Sequence, residues 1–108
     1  DVRRQQGRED QALRVLTRGL DRLPKEAILH YSAGLTHIRL KAYAAARPFL
    51  AEASALAPAR ADFFYTYLVL LDALGKRPEA LDYIKARYPG GSRPPQIEQL
   101  QENWQRGH

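Results

Sequence analysis

Apolar residues recur at helical spacing along the whole chain. Residues 8–23 place Ala12, Leu13, Leu16, Leu20 and Leu23 on one side, the pattern of an amphipathic helix. Pro24 ends it, because a proline ring cannot continue the hydrogen-bond ladder. Residues 26–40 repeat the pattern with Ile28, Leu29, Leu35, Ile38 and Leu40, and Lys41-Ala42 is a short joint. Residues 44–56 predict an alanine-rich helix carrying Phe49, Leu50 and Leu56, with Pro48 in its first turn or just past it. Residues 61–74 predict the next helix, and Gly75-Lys76-Arg77 its turn. Pro78 opens a further helix that runs to about Tyr88, and the run from Pro89 to Pro95 is a break. The last segment, residues 96–106, sets Ile97, Leu100 and Trp104 on one stripe of an otherwise polar helix. No stretch alternates with the period of a strand. The expected fold class is all-α, with short joints that fold neighbouring helices back on one another.

A longer period overlies the helical one. Ala12, Ala46 and Ala80 are 34 residues apart, and each is followed four residues later by Leu16, Leu50 or Ile84. Pro24 and Pro58 share the spacing, and Gly7, Lys41 and Gly75 fall in the same register. A repeat of this length is one supersecondary unit. Two helices cannot bury all their apolar faces alone, so stacked copies form a continuous core.

These residues resemble the tetratricopeptide repeat. Residues 27–60 offer Ala33-Gly34, Ala46, Leu50, Ala53 and Pro58 at the family's offsets, with His30 and His37 where the family prefers Trp and Tyr. Residues 61–94 offer Phe64, Gly75, Ala80 and Ile84, but Leu68 replaces the small residue at Gly34 and Arg87 the one at Ala53. Leu68 predicts a wider separation of that helix pair. Arg87 predicts a second helix that does not pack on another full repeat. The resemblance implies antiparallel helix-turn-helix repeats stacked as a short solenoid: a partial repeat at 1–26 with its second helix at 8–23, full repeats at 27–60 and 61–94, and a C-terminal capping helix at 95–108. Residues 1–6 would be the tail of a preceding first helix, so the chain is expected to be cut from a longer protein. The stripe Ile97, Leu100 and Trp104 has two readings, a cap on the last repeat or a face for a second copy of the chain; capping is favoured because terminal repeats need a polar outer surface.

In this family the first helices line a concave groove, which implies a protein or peptide partner and no enzymatic activity. The groove residues implied here are Tyr31, Ser32, Leu35 and Ile38 with Arg39 at the edge, and Asp62, Tyr65, Thr66, Val69 and Asp72 one repeat later. Tyr31 and Tyr65 would form an aromatic ladder, Leu35 and Val69 the rest of an apolar floor, and Arg39, Asp62 and Asp72 a charged rim. Phe64, Tyr67, Leu68 and Leu71 would pack inside the pair. Members that grip a C-terminal carboxylate do so with basic and amide side chains. Asp62 at the corresponding place would repel one. The alternative role is an appendage of a larger bacterial enzyme, envelope or secretion assembly, which the Ala/Arg-rich composition suits.

Composition narrows the chemistry. The 108 residues contain no Cys, which excludes disulfides, thiol nucleophiles and Cys-ligated metals. Cytosol and periplasm both stay open. No apolar run reaches the roughly 18 residues of a membrane span, so insertion is not expected. The net charge is +5, and residues 1–25 hold seven Lys/Arg against four Asp/Glu. Arg14, Arg18 and Arg22 lie four apart with Arg8 and Asp21 nearby, a stripe that reads first as a solvated helix face. Nucleic-acid binding ranks last, because no stacking aromatics or groove-reading motif accompany the stripe. His30 and His37 are seven apart, about 10.5 Å along a helix, too far to share one zinc. They read as packing residues. Asp62 and Asp72 are about 15 Å apart, outside paired-carboxylate range. Gly90-Gly91-Ser92 lacks the lysine of a phosphate loop, and no serine sits in a nucleophile elbow. No metal, cofactor or catalytic residue is implied.

Overall fold

A computed structural model describes residues 2–107; Asp1, the expected start of the partial repeat, and the terminal His108 lie outside them. Six helices and no strand make up the described chain: α1 (Val2–Arg22), α2 (Ala27–Arg39), α3 (Tyr43–Leu56), α4 (Ala61–Ala73), α5 (Arg77–Arg87) and α6 (Pro95–Gln105). Consecutive helices pack from α1 to α5, and α6 packs against α4. The radius of gyration is 14.8 Å with extents of 41 × 31 × 19 Å. A globule of this length would have about 13 Å. The chain is therefore a flattened slab.

The 34-residue period is visible in the backbone. The helices α2, α4 and α6 start at Ala27, Ala61 and Pro95, and α3 and α5 at Tyr43 and Arg77. Both α2 and α4 end in the same left-handed stop. The residue after the cap is Lys41 at φ 60° in one and Gly75 at φ 74° in the other. In each, two successive amides reach back. Lys41 and Ala42 donate to the carbonyls of Ile38 and His37, and Gly75 and Lys76 to those of Asp72 and Leu71. This pairing satisfies the orphan carbonyls of a helix C-terminus. Glycine adopts that conformation without strain, whereas Lys41 adopts it against the clash of its Cβ.

One expectation and one alternative need correction. The N-terminal segment is one continuous helix from Val2 to Arg22, rather than a tail followed by a helix from Arg8. Gly7 does not break it, because glycine in an exposed helix costs only about 1 kcal/mol. Of the two readings of the α6 stripe, the less favoured one, an open face for a second copy, does not hold. Ile97, Leu100 and Trp104 are at most 9% exposed and belong to the chain's own core. The Arg77 guanidinium also lies 5.2 Å from the Trp104 ring centroid.

The core follows the small residues. Gly34 faces Leu50 so closely that a Cβ there would lie 2.5 Å from Leu50 Cδ2. Ala33, Ala46 and Ala53 are buried beside this contact, and α2 and α3 lie close over their length. One period later Leu68 stands in place of Gly34, fully buried, and α4 and α5 are more loosely apposed. Arg87 stands in place of Ala53. Its guanidinium lies 4.1 Å from the Phe64 ring centroid and donates to the Ser54 carbonyl at 3.3 Å, tying the end of α5 to α3 and α4. Phe64, Tyr67, Leu68 and Leu71 are buried, together with Phe63 and Leu70. Pro48 sits in the second turn of α3.

Candidate functional site

Helices α2 and α4 carry the ten residues expected to meet a partner, and the structure divides them into three groups. Tyr65 and Val69, one turn apart on α4, are 36% and 40% exposed. The other large apolar side chains of that helix are at most 4% exposed. Leu35 holds the position on α2 equivalent to Val69, one period earlier. It lines a cleft of about 400 Å³ with Ser32, Thr36 and Arg39 of α2 and Ala12, Val15 and Leu16 of α1.

The second group is engaged within the chain. The Tyr31 ring stacks on Phe63 at 4.2 Å and 19°. Its hydroxyl lies 3.0 Å from Thr66 Oγ1. Thr66 already donates its only hydroxyl proton to the Asp62 carbonyl, so Tyr31 is the donor to Thr66. The expected Tyr31–Tyr65 ladder is therefore replaced by a Tyr31–Phe63 stack that joins α2 to α4. Ile38, expected on the groove floor, packs against the core instead.

The third group is the charged rim, and each member has an ion partner. Arg39 Nε meets Glu9 Oε2 at 2.9 Å, joining α2 to α1, while its Nη2 donates to the buried Thr36 hydroxyl at 3.2 Å. Asp62 takes two hydrogen bonds from Arg60, at 3.0 and 2.9 Å. That fork holds the Asp62 carboxyl below the usual carboxylate range. The same Arg60 guanidinium lies 4.2 Å from the Phe63 ring centroid. Asp72 pairs with Arg77 at 2.9 Å. The rim thus presents compensated pairs rather than free charge, and the outward face of α4 is dominated by Tyr65 and Val69.

Several participants were not expected from the sequence. Ile28 is 56% exposed, seven residues before Leu35 and so on the same stripe of α2. Helical spacing alone predicts this side chain on the packed face. Phe63 sits 34 residues before Ile97, and that register was the signal that would have marked it as buried. Glu9 left no comparable trace, because its ion pair with Arg39 spans 30 residues of sequence and is set by packing, whereas Arg60 stands only two residues from Asp62.

His30 and His37 flank Phe49, with ring centroids at 6.3 and 5.3 Å. The Nε2 of His30 donates to the Pro24 carbonyl at 2.8 Å, so both imidazoles serve the α2–α3 seam. Among the described residues no group of three His, Cys, Asp or Glu side chains is placed to hold a metal ion. No described helix is long and apolar enough to cross a membrane. Burial, together with a hydrogen bond to Tyr83, pushes the Tyr67 hydroxyl up to about 12. That group is a structural phenol beside Arg47, which in turn pairs with Glu79. No protein-family model, curated protein or solved structure matches the chain, so the residues themselves carry the functional reading.

Proposed function

We propose that the chain is a set of tetratricopeptide-type repeats that binds a protein segment on the outward face of α2 and α4, without catalysis. The repeat reading is supported by helix starts at Ala27, Ala61 and Pro95 and by the matching stops at Lys41 and Gly75. The binding reading rests on one observation. The face that carries Ile28 on α2, and Tyr65 and Val69 on α4, keeps these apolar side chains in water beside the half-buried Leu35, although both helices have a packed side. Scattered apolar residues are ordinary on a surface, but Leu35 and Val69 hold equivalent positions one period apart, and Ile28 and Tyr65 lie one or two turns from them on the same two helices, which makes a contact strip. Tyr65 is the anchor of this strip, since tyrosine concentrates binding energy at interfaces.

Selection from a displayed library of random peptides tests the proposal. Ligands should emerge with an apolar core. Tyr65→Ala with Val69→Asp should weaken them at least tenfold while the far-ultraviolet circular dichroism stays unchanged. Binding undiminished by the double substitution would remove this face from the account.

A further inference from the structure

Charge frames the exposed stripe of α4, and the chain itself pairs all of it. Asp62, Tyr65, Val69 and Asp72 lie within about 80° of one another around the helix. The two aspartates are the only charged residues of α4, three residues before Tyr65 and three after Val69. Each is bound by an arginine next to the helix: Asp62 by the two-bond fork of Arg60, and Asp72 by Arg77 at 2.9 Å. Each arginine is fixed a second time by an aromatic ring. Arg60 lies 4.2 Å from the Phe63 centroid, and Arg77 lies 5.2 Å from that of Trp104. An arginine held by a carboxylate and a ring has two contacts to give up before it can swing towards a ligand. Thr66 donates to the Asp62 carbonyl and accepts from Tyr31, so its hydroxyl proton is in use as well. The Tyr65 hydroxyl makes no hydrogen bond among the described residues, and a phenol can donate one and accept another.

A carboxylate brought to this stripe gains from Arg60 only what Asp62 already supplies, and it leaves Asp62 without its partner. A cation brought to Asp62 or Asp72 must displace an anchored arginine in the same way. Exposed ion pairs are worth little to begin with, so exchanging one for another gains nothing. The incoming charge would also lose water against Tyr65 and Val69, which costs free energy when no new bond replaces it. Charge complementarity therefore works against both signs. It does so although the chain as a whole carries +5, a balance that by itself would favour an acidic partner.

We infer that the segment held on α4 is uncharged where it crosses this stripe: a protein segment with two apolar side chains about 6 Å apart, matched to Tyr65 and Val69, and uncharged residues on either side of them. The two aspartate–arginine pairs set this selectivity, because they turn away an acidic and a basic segment alike. A nucleic acid does not suit this face for the same reason, since its phosphates need cations that are not already paired. The inference rests on the interaction role proposed above and adds the chemistry of the partner. Binding is then driven by apolar burial and is nearly independent of salt.

The test uses the tightest library peptide recovered on the unaltered chain, resynthesised with capped ends and a fluorophore. Three derivatives carry glutamine, glutamate or lysine on both sides of its apolar pair. Anisotropy should show less than about a twofold change in affinity between about 0.05 and 0.5 M sodium chloride. The glutamate and lysine derivatives should bind no tighter than the glutamine one. Asp62→Asn releases Arg60 from its carboxylate. With the circular dichroism unchanged, it should create a preference of about threefold or more for the glutamate derivative over the lysine one. An affinity that falls about tenfold or more with salt, or an unaltered chain that prefers either charge, would overturn the inference. So would an Asp62→Asn chain that still treats the two charged derivatives alike, because the pair would then not be what turns charge away. Tyr65→Ala/Val69→Asp separates the two readings. If the peptide depends on those residues while a charged derivative binds best, only this inference falls. If it ignores them, or if no peptide is recovered, the proposed contact face falls and the inference with it.

Discussion

Replacing Gly34 by alanine sets two opposing effects against each other on one methyl group. Helix propensity alone favours alanine over glycine by about 1 kcal/mol. The added Cβ, however, would lie 2.5 Å from Cδ2 and 2.7 Å from Cγ of Leu50, a side chain with no exposure and no room to swing. Forcing a methyl into a filled core costs about 1–3 kcal/mol. Gly34→Ala should therefore destabilise the chain by about 0.5–2 kcal/mol, lowering the melting temperature by several degrees. Shortening Leu50 removes the obstacle. Leu50→Ala alone should cost about 2–5 kcal/mol, and Gly34→Ala added to it should then stabilise by about 1 kcal/mol. Urea denaturation of the four proteins measures the cycle. The sign of the Gly34→Ala effect must reverse between the two backgrounds, because neighbours that share a contact are not additive. If Gly34→Ala stabilises the unaltered chain, or acts with the same sign and size in both, the close α2–α3 approach is wrong.

Lys41→Gly should stabilise by about 0.5–1 kcal/mol, since it relieves the left-handed backbone that Gly75 already occupies freely; a thermal melt reads this. Trp104→Ala should cost about 3 kcal/mol by emptying a site that is 8% exposed. Sedimentation should show a monomer before and after, because the stripe packs within its own chain. The Tyr67 phenol stays neutral in the fold up to about pH 12, while an unfolded tyrosine ionises near 10. Its contribution to stability is thus complete below pH 10 and lost as the pH rises towards 12. Denaturation midpoints across that window should fall less steeply in Tyr67→Phe than in the parent.

Helix boundaries were legible because proline and glycine punctuate the chain. Pro24, Pro58, Gly75 and the Pro89–Pro95 run sit in the joints, and most ends were placed within one or two residues. Gly7 misled because a glycine stops a helix only where the next turn is needed, and α1 has no turn there. The buried side of α4 followed from helical spacing applied to Phe64, Leu68 and Leu71. The outward face was less legible. Periodicity assigns Ile28 to the apolar side of α2, but the neighbouring helices leave it in water. The rim looked charged in the sequence because Arg39, Asp62 and Asp72 were read without partners. Arg60 and Arg77 lie only two and five residues from Asp62 and Asp72, but the pairing of Arg39 with Glu9 depends on where α1 meets α2. Tyr31 shows the same limit. Its spacing from Tyr65 is a full period, yet a period aligns equivalent positions without bringing them into contact, and Phe63 is the ring within reach.

Backbone amide chemical shifts, followed while a selected peptide ligand is added, test the central claim most directly. The account predicts perturbations centred on α2 and α4, around Ile28, Leu35, Tyr65 and Val69, with the amides of α6 unmoved. Shifts confined to α5 and α6, with the α2 and α4 amides unchanged at saturation, would contradict it.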